Sequence, residues 1–289
     1  MKDYVIRAID EKGSIRIFIA NTTNLVEEAR SIHKTMPTGT AALGRTLTAA
    51  SIMGRMMKGD NDSISIQIRG DGPIGNVVAS SNSKGEVRGY VGNPMVDLPL
   101  KNNGKLDVGR AIGRNGRVIV IKDFGLKEPY IGQSNIVSGE IAEDLTYYFA
   151  HSEQQPSAVN LGVLVDKDLS VKASGGYIVQ LLPDASDEDI DILEESIKNS
   201  EPISTLIDKG FTPEDILKEV FGKFNMSILK KEEVEFKCNC SRDRIEKALK
   251  SLGEKEIKDI IEEDGKAEIV CHFCNKKYNF SKKDLESLI

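Results

Sequence analysis

The cysteines constrain the fold of this chain more than any other feature, because all four fall in its last fifth and form two close pairs. One residue separates Cys238 from Cys240, and 30 residues later two residues separate Cys271 from Cys274. Four thiolates in two close pairs can surround a zinc ion tetrahedrally once a folded loop brings the pairs together. The pattern therefore predicts one zinc ion per chain, held by all four cysteines.

One alternative ligand lies inside the second pair. His272 stands between Cys271 and Cys274 and could replace one of the thiolates. Coordination by four protein ligands leaves no position for a substrate water, so the site is expected to be structural and not catalytic.

The segment that carries the cysteines, residues 231–289, is too short to be stabilised by a hydrophobic core alone. Its size therefore predicts a bound metal ion that stabilises the fold. Ser241 is expected to cap a helix over RDRIEKALKSLG, and a second helix covers EKEIKDIIEED. Asp264-Gly265 then turns into the strand KAEIVC, and Ser281 caps a terminal helix. These elements predict a small C-terminal zinc-binding domain.

The spacing of the cysteines has a redox consequence. Each close pair could close a small disulfide loop, and thiolates are the form of cysteine that oxidants attack. Oxidation would release the metal. Because structural zinc contributes about 10–16 kcal/mol to the folding free energy of such modules, its loss should unfold this one. The site is therefore a plausible redox switch, although the same chemistry applies to inert zinc ribbons.

Residues 1–183 are expected to form a larger α+β core domain. SIRIFIA and SISIQIRG alternate apolar and polar residues, as half-buried strands do. Turns at Ser83-Lys84-Gly85 and Asn115-Gly116 separate further β-rich runs, which predicts an antiparallel sheet. One helix is expected to begin near Thr38 and end at Gly59, and another to begin at Ser138.

Residues 184–230 are expected to form a helical linker that lies against the core. The segment has 5 basic and 12 acidic side chains, a net charge of −7. Three short helices are expected in it, begun by Ser186, by Glu201-Pro202 and by Thr212-Pro213. Such short helices are marginal alone and need a surface to pack on. Their apolar stripes consist of Ile190, Leu193 and Ile197 in the first helix and of Ile216, Val220 and Phe224 in the last.

Several classes of function are disfavoured by the sequence. The run Gly70-Asp71-Gly72-Pro73-Ile74-Gly75 resembles a dinucleotide-binding loop, but β-like sequence follows it where a helix would be needed. His33, His151 and Glu153 have no catalytic motif around them, so no enzyme activity is expected. The charged N-terminus and the lack of long apolar runs predict a cytoplasmic protein without membrane contact.

The chain resembles the 33-kilodalton redox-regulated heat-shock chaperone family along essentially its full length. The resemblance is carried by KCNCSRDRIEKALKSLG with EDGKAEIVCHFCNKKYNF, and by IHKTMPTGTAALGRTLTA, SGEIAEDLTYYFAHSEQQPSA and GGYIVQLLP. Agreement in several separated segments is more specific than a zinc pattern alone.

The resemblance implies a stress-response chaperone that holds unfolding client proteins without nucleotide. Oxidation would join Cys238 to Cys240 and Cys271 to Cys274, release zinc and free the linker and core surfaces for clients, and oxidised members are homodimers. On this view the linker stripes would contact clients. The expected client-binding residues are Ile190, Leu193, Ile197, Ile216, Val220 and Phe224.

The alternative interpretation is a zinc-ribbon protein that binds nucleic acid or regulates transcription. Its zinc chemistry would be identical. Residues 231–289 have 13 basic and 14 acidic side chains, however, and the linker is acidic. Because nucleic-acid binding draws on positive charge, no nucleic-acid partner is expected.

Overall fold

The computed structural model describes residues 2–289, which divide into two compact units, one ending at Phe236 and the other spanning Lys237–Ile289. The strands are β1 Tyr4–Asp10, β2 Ile15–Asn21, β3 Ser63–Arg69, β4 Asn76–Asn82, β5 Glu86–Val91, β6 Arg117–Asp123, β7 Tyr130–Asn135, β8 Ser157–Val165, β9 Val171–Leu181, β10 Met226–Glu233, β11 Glu235–Phe236, β12 Lys266–Val270 and β13 Lys277–Ser281. The helices are α1 Thr23–His33, α2 Pro37–Met56, α3 Val108–Ile112, α4 Ala142–His151, α5 Asp187–Asn199, α6 Ile203–Asp208, α7 Pro213–Phe221, α8 Arg242–Lys250, α9 Glu254–Glu263 and α10 Lys282–Glu286.

Two sheets form the frame of the first unit. A five-stranded sheet has the order β10-β1-β2-β9-β8, and a six-stranded sheet has the order β11-β5-β4-β3-β6-β7. Neighbouring strands are antiparallel, except that the short β11 runs parallel to β5. The predicted α+β class with antiparallel sheets is confirmed.

Helix α2 contacts both sheets and is buried along most of its length. Small residues allow this close packing: a Cβ atom at Gly44 would lie 2.6 Å from Cγ1 of Val26 and 2.8 Å from Cγ2 of Val163. The helix begins close to the predicted position but ends at Met56, three residues before the expected stop at Gly59.

The five-stranded sheet is apolar on both faces, because alternate residues of a strand point to opposite sides. Val5, Phe18 and Ile178 belong to the core cluster shared with α2. Ile6 and Ile17, one position away, belong to a second cluster. The face away from α2 therefore needs its own cover.

The linker helices α5, α6 and α7 provide that cover, so the segment lies against the core as its amphipathic pattern predicts. Ser186 and Thr212 cap α5 and α7 through capping boxes. Leu193, Ile216, Val220 and Phe224 are buried in the second cluster, and Ile197 packs against it. Each fully buried side chain contributes about 1.5–3 kcal/mol to docking.

One residue of the expected stripes lies elsewhere. Ile190 is half-buried, and among the described residues the cluster includes Ile192 instead. Helical spacing alone does not fix how α5 is rotated on the sheet. That rotation depends on the shape of the partner surface.

The expected boundary at residue 231 falls inside strand β10, which pairs with β1. The following β11 pairs with β5, so both strands lie in the first unit. The sequence signal was weak because most side chains of β10 are exposed and its second half is Lys230-Lys231-Glu232-Glu233. The division into three functional parts stays a prediction.

The helix expected to begin at Ser138 begins at Ala142. The carboxylate of Asp144 is responsible, because its Oδ1 accepts hydrogen bonds from the backbone N–H groups of Val137 at 2.8 Å and Ser138 at 2.9 Å. Those bonds hold the preceding residues in a loop. Among residues 2–289, no helix combines the length and apolar character needed to span a membrane.

Candidate metal centre

The second unit places its two cysteine pairs on two different elements. Cys271 and Cys274 lie in the turn that joins β12 to β13, and Cys238 and Cys240 lie just before α8. The strands pair in antiparallel register, with Ile269 opposite Tyr278. A hairpin turn and a helix N-terminus thus meet at one point.

Backbone hydrogen bonds fold the hairpin turn tightly. The N–H of Cys271 donates to the carbonyl of Lys276 at 2.9 Å, and the N–H of Asn275 donates to the carbonyl of Cys271 at 2.8 Å. Asn275 adopts a φ of 55°, a left-handed conformation that asparagine tolerates better than most residues. This conformation closes the turn around the second pair.

Arginine side chains hold the first pair near the hairpin. Arg242 donates from Nη1 to the carbonyl of Asn279 at 2.9 Å, and its guanidinium lies 4.4 Å from the centre of the Phe280 ring. Arg244 donates to the carbonyl of Asn239, between the two cysteines, at 3.2 Å. Arg244 therefore ties the Cys-Asn-Cys segment to α8, and Arg242 ties α8 to the hairpin.

All four sulfur atoms lie within 4.8 Å of one another. The distance is 3.7 Å between Sγ of Cys238 and Sγ of Cys271, and 3.4 Å between Sγ of Cys240 and Sγ of Cys274. Four sulfurs bound tetrahedrally to one zinc ion at about 2.3 Å would be about 3.8 Å apart. The spacing of the sulfurs therefore fits a zinc ion.

The ionisation of the cluster also favours a bound cation. Burial raises the pKa of the Cys238 and Cys274 thiols. Burial also opposes ionisation of Cys240, but hydrogen bonds from Tyr278 and the other thiols outweigh it and lower its pKa to about 7. Four thiolates this close repel one another, so a cation is needed to hold them all in the ligand form.

Two contacts that position the sulfur cluster were not predicted from the sequence. The hydroxyl of Tyr278 donates a hydrogen bond to Sγ of Cys240 at 3.1 Å. Arg242, two residues after Cys240, joins the start of α8 to a carbonyl of β13. Both contacts depend on the register of the hairpin against the segment before α8, for which local sequence has no signal.

His272 is exposed and is not a member of the sulfur cluster. The other residues considered for acid–base chemistry lie in the first unit. His151 stacks on Tyr147 with ring centres 3.7 Å apart, and Glu153 accepts a hydrogen bond from the Tyr148 hydroxyl at 2.6 Å. These contacts stabilise the end of α4.

Comparisons with known proteins agree over nearly the whole chain. The family model described as Hsp33 protein matches residues 3–281. The 33 kDa chaperonin of Bacillus velezensis is 52% identical over 286 residues, which cover 99% of this chain and 98% of that protein. The 33 kDa chaperonin of Staphylococcus carnosus is 50% identical over 288 residues, which cover 100% of this chain and 98% of that protein.

A solved structure shows the same relationship. The 33 kDa chaperonin of Thermotoga maritima, a heat shock protein 33 homolog, superposes with a TM-score of 0.92 and is 41% identical. The alignment covers 100% of this chain and 98% of that one. The chain belongs to the Hsp33 family.

Proposed function

We propose that this chain is an ATP-independent chaperone that holds unfolding proteins and is switched on by oxidation of its four cysteines. The observation that supports this most is the convergence of four sulfurs within 4.8 Å in a small unit. The relatives named 33 kDa chaperonin support the chaperone class. The action is binding and not catalysis, and the expected compartment is the cytoplasm.

In the reduced state, Cys238, Cys240, Cys271 and Cys274 hold one zinc ion. A bound zinc ion would compensate the thiolate charge and join the hairpin to the segment before α8. This would contribute about 10–16 kcal/mol to the folding free energy of the second unit. The remaining core of the second unit is small, with Leu249, Ile257 and Phe280 among its buried members. Without the metal ligands, this unit is expected to unfold.

Oxidation removes the ligands in pairs. Cys238 and Cys240 lose two electrons and become a disulfide, and Cys271 and Cys274 do the same. For each pair, one hydrogen peroxide accepts the two electrons with two protons and leaves as two waters. A disulfide sulfur no longer binds zinc as a thiolate does, so the metal is released.

The chain connects this event to the linker. Cys238 follows β11 after a single residue, and β11 and β10 are the last strands of the first unit. Unfolding of the second unit is proposed to loosen these strands and then the helices α5 to α7. Release would expose apolar faces on the sheet and on the linker. The client-binding residues would be Ile190, Leu193, Ile197, Ile216, Val220 and Phe224, and the oxidised protein would be a homodimer.

The test compares reduced, peroxide-treated and re-reduced protein at equal concentration under mild warming and without nucleotide. The oxidised form is expected to release one zinc per chain to a chelating dye and to suppress aggregation of a thermally denaturing protein. Re-reduction with zinc should reverse both. Loss of zinc without any gain in protection would overturn the proposal.

Peptide mapping of the oxidised protein separates the proposed disulfides from their alternatives. The contacts Cys238–Cys271 at 3.7 Å and Cys240–Cys274 at 3.4 Å make cross-pairing the competing outcome. Cross-linked peptides between the two segments would contradict the proposed pairing.

A further inference from the structure

The outer edge of β8 is the feature that carries a further inference. This strand ends the five-stranded sheet, and its sheet partner is β9. The carbonyl of Pro156 accepts a hydrogen bond from the N–H of Leu181 at 3.0 Å. At this end of β8, the even-numbered residues therefore direct their backbone N–H and C=O groups towards β9. In an antiparallel pair the alternate residues turn both backbone groups away from the partner.

The N–H of Val159 demonstrates this outward direction, because it donates to the hydroxyl of Thr146 in α4 at 3.2 Å. Beyond it, the outward N–H and C=O groups belong to Leu161 and Val163. The register with β9 shifts between Leu164 and Val165, but beyond the shift the N–H of Asp166 donates to the carbonyl of Ser170 at 2.8 Å, which leaves the groups of Val165 facing outward as well. Within residues 2–289 these groups have no hydrogen-bond partner outside the sheet. Such a row of unpaired backbone groups is a template for another strand.

A groove of about 650 Å³ runs along this edge. Its apolar lining comes from Leu100 and Leu106 in the loop before α3, and from Ile197 and Ile203 at the junction of α5 and α6. The charges around it are of both signs, with Arg45, Lys105 and Lys167 against Asp166 and Glu201, and Arg45 is itself paired with Glu140. The charges therefore do not favour an acidic or a basic ligand.

We infer that this groove takes an extended, uncharged and apolar segment of an unfolded polypeptide, which adds a strand to β8. A second extended backbone presents C=O and N–H groups at the same spacing as the groups along the edge, and the walls favour apolar side chains on it. The inference rests on the proposed chaperone function and names one place where a client binds.

The linker controls access to this edge. A Cβ atom at Gly162 would lie 2.9 Å from Oγ of Ser204, so α6 sits directly on the face of β8. The junction of α5 and α6 forms one wall of the groove. Release of these helices widens the groove, which connects this site to the redox switch.

The experiment removes a single outward donor. Proline is tolerated on edge strands where its missing N–H would face away from the sheet, so Val163→Pro blocks pairing while β8 stays joined to β9. Val163 packs near Gly44 of α2, so its replacement could also disturb the core. Val165→Pro is therefore the second variant, because among the described residues Val165 is not a member of the core clusters. Gln133→Pro places the same change on β7, the free edge of the other sheet.

Binding is measured as the Kd of the oxidised full-length variants for fluorescein-labelled, carboxymethylated α-lactalbumin, a permanently unfolded probe. At least one of the two β8 variants is expected to raise Kd about tenfold, and the β7 variant less than about twofold. Residue-resolved hydrogen exchange of the wild type should show slower exchange at Leu161, Val163 and Val165 when the probe is bound.

Three outcomes overturn the inference. Equal Kd values for wild type, β8 and β7 variants would exclude the edge, as would unchanged exchange at its three amides. A β8 variant that converts an oxidised dimer to a monomer with unchanged Kd would show that a second copy occupies the groove. If wild-type oxidised protein binds no probe, the chaperone proposal itself fails, which is a separate result.

Discussion

The hydroxyl of Tyr278 donates a hydrogen bond to the sulfur of Cys240 across 3.1 Å, which places a β13 side chain against a candidate zinc ligand. The bond favours the thiolate of Cys240 and raises the pKa of Tyr278 to about 12. Hydrogen bonds to metal ligands orient them, and the loss of such a bond typically lowers metal affinity about 10–100-fold. Tyr278 therefore positions one ligand of the candidate metal centre.

Replacement of this tyrosine should weaken zinc binding without removing a ligand. Tyr278→Phe is expected to lower the zinc affinity of the reduced protein about tenfold and to speed zinc release by peroxide, because Cys240 loses its donor. Competition with a chelating dye measures the affinity. Tyr130→Phe, an exposed tyrosine of β7, is the control, and an equal effect of both changes would contradict the role of Tyr278.

Each of the four cysteines should be needed for the metal. Single Cys→Ser substitutions at 238, 240, 271 and 274 are expected to reduce bound zinc from one per chain to a small fraction, and His272→Ala to leave it unchanged. Metal analysis of protein purified under reducing conditions checks this. Full zinc content in any of the four cysteine variants would remove that residue from the ligand set.

Docking of the linker should depend on Leu193 much more than on Ile190. Leu193 is buried in the cluster under the linker, so Leu193→Ala is expected to cost about 2–5 kcal/mol of docking free energy. Hydrogen exchange in α5 should speed up accordingly, and client holding without oxidant should rise. Ile190→Ala, in the same helix but outside the cluster, should have an effect below about 1 kcal/mol. Similar exchange in both variants would refute this picture.

Acid should weaken the attachment of α7. Burial opposes ionisation of Glu214, but hydrogen bonds from Lys231 at 2.7 Å and from Tyr4 at 2.6 Å outweigh it and lower its pKa below the ordinary 4.5. A lowered carboxyl pKa stabilises docking fully above the ordinary value, and this stabilisation is lost as pH falls through the folded pKa.

Hydrogen exchange in α7 should therefore show stable docking from about pH 8 to about pH 6 and a loss below about pH 4.5. Glu214→Gln is expected to weaken docking at neutral pH and to make it less dependent on acid. Glu219→Gln, exposed on the same helix, should match the wild type. A Glu214→Gln variant with the acid dependence of the wild type would disprove the role of this carboxylate.

Local signals in the sequence predicted local structure well. The caps at Ser186, Thr212, Ser241 and Ser281 are all present, because a cap depends on one side chain and the backbone three residues later. The cysteine spacing likewise predicted which four side chains converge. In each case the interaction depends on a short stretch of sequence or on a recurring residue type, both of which can be recognised without knowing the fold.

Features that depend on distant partners were missed. The pairing of β10 with β1 joins residues more than two hundred positions apart, and the exposed charged side chains of β10 conceal its strand character. The late start of α4 depends on hydrogen bonds that the backbone N–H groups of residues 137 and 138 donate to the carboxylate of Asp144. The rotation of α5, which leaves Ile190 outside the cluster, depends on the shape of the sheet beneath it.

The placement of β9 and β10 in one sheet has a consequence for reversibility. The linker helices form a loop that leaves the sheet at β9 and returns at β10, with β1 and β2 lying between the two strands. While β10 stays paired, detached helices remain tethered at both ends and face their docking surface at a high effective concentration. Detachment of β10 would remove one tether and lower that concentration. The linker helices should therefore dock again faster when β10 has stayed paired with β1 than when β10 has also detached.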